Sequence, residues 1–175
     1  MSDPKIIGKF VAGFLASAGE VSSVFERKAR NILESNGISE VDPDEWYSAD
    51  KFSNSMHQIE DEVGEKTSEQ AGVKMIEVID ELSNLESMER AVELAQEQQK
   101  MNYQNYTPET VGQLRYEELN SGNIRIGYWG GWDYPEAFTR GILKGFAQAT
   151  ESRSSVEMKT VSTRDDETHA FEIIE

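Results

Sequence analysis

The sequence predicts an α+β fold: N-terminal helices followed by an antiparallel sheet of two hairpins, with one helix between them. Two observations carry this expectation. Apolar residues recur at helical spacing from Ile6 to about Lys100, whereas from Thr110 onward they alternate in short runs separated by polar turns. The alternation is interrupted once, by a helix that opens near Tyr134-Pro135-Glu136. Helices first and hairpins afterwards is the order of an α+β domain.

The first segment, Ile6 to Asn36, carries apolar residues at 6, 7, 10, 11, 14, 15, 21, 24, 25, 29, 32 and 33, which reads as two helices or one helix bent near Gly19. Asn36-Gly37 closes it, glycine being the usual residue just past a helix. A loop from Ile38 to Tyr47 contains the turn Asp42-Pro43-Asp44. Ser48 then caps a helix with Phe52, Met56, Ile59 and Val63 on one face, and Gly64 stops it. Thr67 or Ser68 starts the next helix, with Val73, Ile76, Val78 or Ile79, and Leu82 inward. A further helix runs from about Leu85 to Lys100, with Met88, Ala91, Val92 and Ala95 on its apolar face.

The first hairpin pairs Val111–Leu119 with Ile124–Trp129 across the turn Asn120-Ser121-Gly122-Asn123, and Ile124, Ile126 and Tyr128 share a face. Asp133, Pro135 and Glu136 read as cap, first-turn proline and capping-box acid of the helix between the hairpins. Phe138, Ile142, Leu143 and Phe146 form its apolar side. The second hairpin has Val156, Met158 and Thr160 on one strand, a turn over Arg164–Thr168, and Phe171 and Ile173 on the closing strand.

The order Tyr134-Pro135, Phe138, Arg140-Gly141-Ile142 and Glu167-Thr168-His169-Ala170-Phe171 resembles the end of a known ligand-binding fold. That fold is shared by 4-vinyl reductase domains, heme nitric-oxide-binding domains and TRAPP-type vesicle-tethering subunits. Upstream, Ala29 to Ile38, then Glu45-Trp46-Tyr47 and Val63-Gly64, are similar to the opening of small prokaryotic members. The resemblance covers roughly three quarters of the chain and rests on order and pattern, with no catalytic signature. It implies a pocket between the helices and the sheet. Where relatives often carry cysteines, this chain has Gly130, Glu136 and His169, so the thiol chemistry of such relatives is lost. Heme-binding relatives use a histidine and a Tyr-x-Ser-x-Arg pattern for the propionates, and that pattern is missing from the sequence. His57, between Met56 and Gln58, is the heme or metal candidate, and the expectation is a solvent-facing histidine. His169, among Asp165, Asp166 and Glu167, is expected at the surface.

A chain of 175 residues suits one core. Within it, residues 1–19 form an apolar N-terminal helix that precedes the family-like region and is either packed on its own core or a candidate interaction segment. Residues 20–175 are expected to form a single ligand-binding-like domain. With no cysteine, disulfides and zinc-thiolate sites are excluded. No apolar run approaches the about 18 residues of a membrane span and no signal peptide is evident, which predicts a cytoplasmic protein. The balance of 33 acidic to 17 basic residues, net −16, is dispersed along the chain. Such composition reads as halophilic, because molar salt screens charges over roughly 3 Å and relieves their repulsion. Nucleic-acid binding is disfavoured, since phosphate contacts need a basic face.

No phosphate-cradling glycine loop, nucleophile elbow or paired-histidine motif is present, so a non-enzymatic function is expected. The aromatic residues suit the walls of the pocket that the resemblance implies, or else simply fill the core. The expected ligand-binding residues are Tyr128, Trp129, Trp132, Phe138, Ile142 and Phe171, with no cofactor and no metal. The expected interface is Ile6, Phe10, Phe14 and Leu15, serving a homo-oligomer or a partner protein. The functional expectation is a sensory domain for a small apolar ligand acting through a partner. Its alternative is a structural adaptor that self-associates through the N-terminal helix.

Overall fold

A computed structural model of the chain describes residues 2–77, 85–150 and 156–174. The chain opens with a short strand, β1 (Lys5–Ile7), then α1 (Gly8–Val21) and α2 (Ser23–Ser35). The break between the helices falls at Ser22, three residues beyond the expected bend at Gly19. Ser22 has extended backbone, its N–H donates to the Ala18 carbonyl to close α1, and its hydroxyl accepts from the Phe25 N–H to open α2. One serine thus satisfies orphan groups at both helix ends. Gly37, at φ +86°, follows the end of α2.

A second short strand, β2 (Trp46–Ser48), leads into α3 (Ala49–Val63), where Ser48 caps as expected by accepting from Lys51 N–H. Gly64, at φ +88°, ends that helix. α4 spans Glu65–Glu77, starting two residues before Thr67. Val78, Ile79 and Leu82, expected inward, lie outside the described residues. α5 (Met88–Met101) begins at the Ser87 cap, and β3 (Tyr103–Gln104) follows. Strands β2, β1 and β3 form a small antiparallel sheet in that order. Its strands are two or three residues long, too short for alternation to reveal.

After a single turn, α6 (Pro108–Val111), come the expected hairpins: β4 (Gln113–Glu118) with β5 (Ile124–Trp129), and β6 (Glu157–Thr160) with β7 (Glu167–Ile174). They join edge to edge in the order β4-β5-β7-β6, every pair antiparallel. Between them runs α7 (Glu136–Ala149). Its start corrects the expected capping box. Pro135 is the cap residue, and no side chain bonds the first-turn amides. The Asp133 carboxylate is taken up by α3, accepting from the Ser53 hydroxyl at 3.0 Å and lying 3.3 Å from His57 Nε2.

The N-terminal segment also needs correcting. Ile6, Phe14 and Leu15 are 0%, 1% and 2% exposed, and Phe10 is half-buried with its ring edge-on to Phe52. β1 is the middle strand of the small sheet, and α1 packs on α2 and α4. The face expected to meet a partner is therefore packed into the chain's own core. Among the described residues, the large apolar side chains that stand exposed are Val24 and Met101. No described helix is long and apolar enough to cross a membrane.

The tightest helix pair is α4 against α7. A Cβ on Gly72 would lie 2.5 Å from the Phe138 carbonyl oxygen, and one on Gly141 would strike the Glu69 carbonyl oxygen. Only glycine lets these backbones approach so closely. Beside the crossing, Glu69 accepts from Arg140 Nε at 2.7 Å and from Lys144.

Candidate functional site

The close α4–α7 crossing leaves space on the side facing α5 and the sheet. A cavity of about 140 Å³ lies there. Met75 and Ile76 of α4 and Ile142 and Phe146 of α7 form one wall, and Leu94, Ala95, Gln98 and Gln99 of α5 form another. Leu114 and Tyr128 contribute from the sheet, and Phe10, Asn102, Tyr103, Trp132 and Tyr134 complete the lining.

The rings are organised as a continuous run. Tyr128 and Trp132 have centroids 4.4 Å apart, and Trp132 meets Tyr134 at 5.0 Å, close to edge-on. The Tyr103 and Tyr134 hydroxyls share a hydrogen bond of 2.5 Å. Trp132 donates its indole N–H to Thr139 Oγ1 at 3.1 Å, and the Thr139 hydroxyl donates in turn to the Pro135 carbonyl. Burial pushes the phenols of Tyr103, Tyr128 and Tyr134 well up from their ordinary value, so all three are protonated at neutral pH. The wall is thus apolar surface carrying neutral hydroxyls and amides.

Of the six residues expected to bind a ligand, Tyr128, Trp132 and Ile142 line the cavity. Phe138 does not: it is 1% exposed and packs between Phe14 and Tyr134. Phe171 is fully buried behind Tyr128, with ring centroids 6.3 Å apart. Trp129 follows a register shift in the β5–β7 ladder and lies under the Arg115 guanidinium at 4.8 Å. Alternation along β5 turns it away from Tyr128. The wall that sequence reasoning missed is α5. Its apolar stripe through Met88, Ala91, Val92 and Ala95 continues to Gln99 at helical spacing, so a polar residue at the end of an inward stripe was the available signal.

Both histidines lie off the cavity. His57 Nε2 is 2.8 Å from the Asp133 carbonyl oxygen on an exposed face. His169, half-buried and not free at the surface as expected, contacts the Tyr134 carbonyl oxygen at 2.9 Å through Nε2. Among the described residues, no group of three His, Cys, Asp or Glu side chains is placed to hold a metal ion.

The sequence matches no family model and no curated protein. Its fold, in contrast, is that of H-NOX domains. A doubly substituted Tt H-NOX aligns with a TM-score of 0.67 at 12% identity, covering 96% of this chain and 93% of that one. A structure concerned with heme redox potential and protein-induced porphyrin distortion aligns at 0.66 and 12% identity, covering 96% and 99%. An oxygen-binding H-NOX domain related to soluble guanylate cyclases, in its oxygen complex, aligns at 0.63 and 12% identity, covering 95% and 92%. At such identity the likeness is one of fold.

Heme, which that fold implies, does not suit the residues present. A cavity near 150 Å³ holds benzene, and a porphyrin is several times larger. The axial-ligand types on the cavity wall are Met75 and the three tyrosines, and the tyrosines are held protonated by burial. Among the described residues, no basic side chain lines the cavity to receive propionates.

Proposed function

We propose that the chain is a non-catalytic sensory domain on the H-NOX fold, binding a small apolar or aromatic molecule in place of heme and reporting through a partner protein. The cavity carries this reading. Its size matches a single aromatic ring, and its lining is apolar with few polar groups, the usual make-up of a small-molecule site. Its walls come from α4, α5, α7, the sheet and Phe10 of α1, so an occupant touches elements from both halves of the chain. Ligand contact with several elements is what a sensor needs in order to shift their relative populations. Protonated phenols and amides are poor general bases, which supports a binding function over catalysis.

The test is toluene titration followed by Trp132 fluorescence, together with native mass spectrometry of protein purified without added ligand. Toluene should change the emission saturably. Ala95→Phe, which fills the cavity from α5, should abolish that change while preserving the fold. Stoichiometric heme with a Soret band in the purified protein, or no toluene response in the wild type, would overturn the proposal.

A further inference from the structure

The cavity's polar groups are unequally used. Trp132 has its indole N–H paired within the protein, and the Tyr103 and Tyr134 hydroxyls share one hydrogen bond between them. Tyr128 is 1% exposed and lines the cavity, and among the described residues no group bonds its hydroxyl; its backbone is held in the β4–β5–β7 ladder, with Thr168 also donating to its carbonyl. Gln99, on the facing α5 wall, has a side-chain amide nitrogen that is buried without a partner. Buried polar groups are almost always hydrogen-bonded, so the idle Gln99 amide, bordering the same cavity as the unused Tyr128 hydroxyl, asks for an explanation. Their chemistry supplies it. An O–H and an N–H both seek an acceptor, and an occupant that brings one gives them a partner.

We infer that the cavity selects a neutral, ring-sized molecule carrying a hydrogen-bond acceptor such as a carbonyl, ether or nitrile, which takes the Tyr128 hydroxyl proton donor. This rests on the reading of the cavity as a ligand site and names the class of ligand. Neutrality follows from the lining, which among the described residues contains no charged side chain to compensate an ion. Aromatic character follows from the Tyr128–Trp132–Tyr134 run, whose faces and edges suit a ring. A site built to hydrogen-bond its ligand rejects an isostere that lacks the matching group, because the site's own polar group then remains unpaired.

Benzonitrile and phenylacetylene make the test, since they share shape and differ in whether the tip accepts a hydrogen bond. Wild-type protein should bind benzonitrile about tenfold more tightly, and the nitrile stretch should shift as it does on hydrogen bonding. Tyr128→Phe should erase both the preference and the shift while keeping phenylacetylene affinity within about twofold. Because the hydroxyl has no protein partner, the same variant should melt at the wild-type temperature or above. Equal binding of the two probes by wild type, a preference that survives in Tyr128→Phe, or a melting temperature lowered by more than about 5 °C would each overturn the inference. Equal binding would leave the apolar-ligand reading standing. If neither probe binds, that reading fails and this inference fails with it.

Discussion

The Arg125 guanidinium and the Glu167 carboxylate form a two-pronged ion pair across the β5–β7 ladder, Nη1 to Oε1 at 2.8 Å and Nη2 to Oε2 at 2.6 Å. Their side chains are 9% and 0% exposed. The spare acceptor and donor capacity is used locally: Arg125 donates to the Ser162 carbonyl, and Glu167 accepts the Arg164 backbone N–H. The pair therefore pins the turn that begins β7. Gly127 makes room for it, because a Cβ there would collide with Glu167 Oε1.

Removing one member should strand the other. Glu167→Ala should destabilise the protein by about 3 kcal/mol in urea unfolding. Gly127→Ala should also destabilise the wild type but cost clearly less in the Glu167→Ala background, because the obstructing carboxylate is then gone. Strictly additive effects in this double-mutant cycle would show that Gly127 serves some other purpose.

Stability should fall in acid, for a reason that can be assigned to residues. At Glu69, burial alone would raise the pKa, but hydrogen bonds from Lys144 and Arg140 outweigh it and hold the carboxyl below its ordinary 4.5. At Glu167, the Arg125 hydrogen bonds lower it. Carboxyls whose folded pKa is depressed contribute stability that is full above 4.5 and is lost as pH falls through the folded value. Glu60, raised mainly by burial, has the opposite sign: its penalty is relieved as pH falls. Chemical unfolding between about pH 6 and 3 should show a declining curve. Glu69→Gln should flatten it, and an unchanged acid limb in that variant would refute the assignment.

A chain beginning at Glu20 should not fold. It would lose β1, the centre of the small sheet, together with the buried Ile6, Val11, Phe14 and Leu15. A gentler probe is Phe14→Ala, which removes a ring packed against Phe25, Phe52 and Phe138 and should cost about 3–5 kcal/mol. Circular dichroism and cooperative melting of the truncated chain decide the matter. A folded truncation would return the N-terminal helix to the role of a separable interaction segment.

Added salt should stabilise the protein, because a formal charge of −16 on one compact chain repels itself. The melting temperature should rise between about 0.1 M and about 2 M potassium chloride. A flat series would make the acidity a matter of solubility alone.

The sequence by itself determined the α+β order and the places where the chain changes direction. It also determined the hairpins with their inward residues. These are local matters. Ser48 and Gly64 bound α3 through capping and positive φ, and Ile124, Ile126 and Tyr128 alternate because a strand has two faces. The cap of α7 was misread for the same reason in reverse: Asp133 has the chemistry of a cap, but Ser53 and His57, distant in sequence, claim its carboxylate. Tertiary structure alone decided that Ile6, Phe14 and Leu15 face inward, because an amphipathic helix looks the same whether its partner is another protein or its own α4. It also decided the cavity. Tyr128, Trp132 and Ile142 could be foreseen as wall residues from their rings and spacing, whereas the α5 wall depends on how α5 is placed against α4, α7 and the sheet. Packing between separate elements leaves no local mark in a sequence, and the site is bounded by elements that only the tertiary structure brings together.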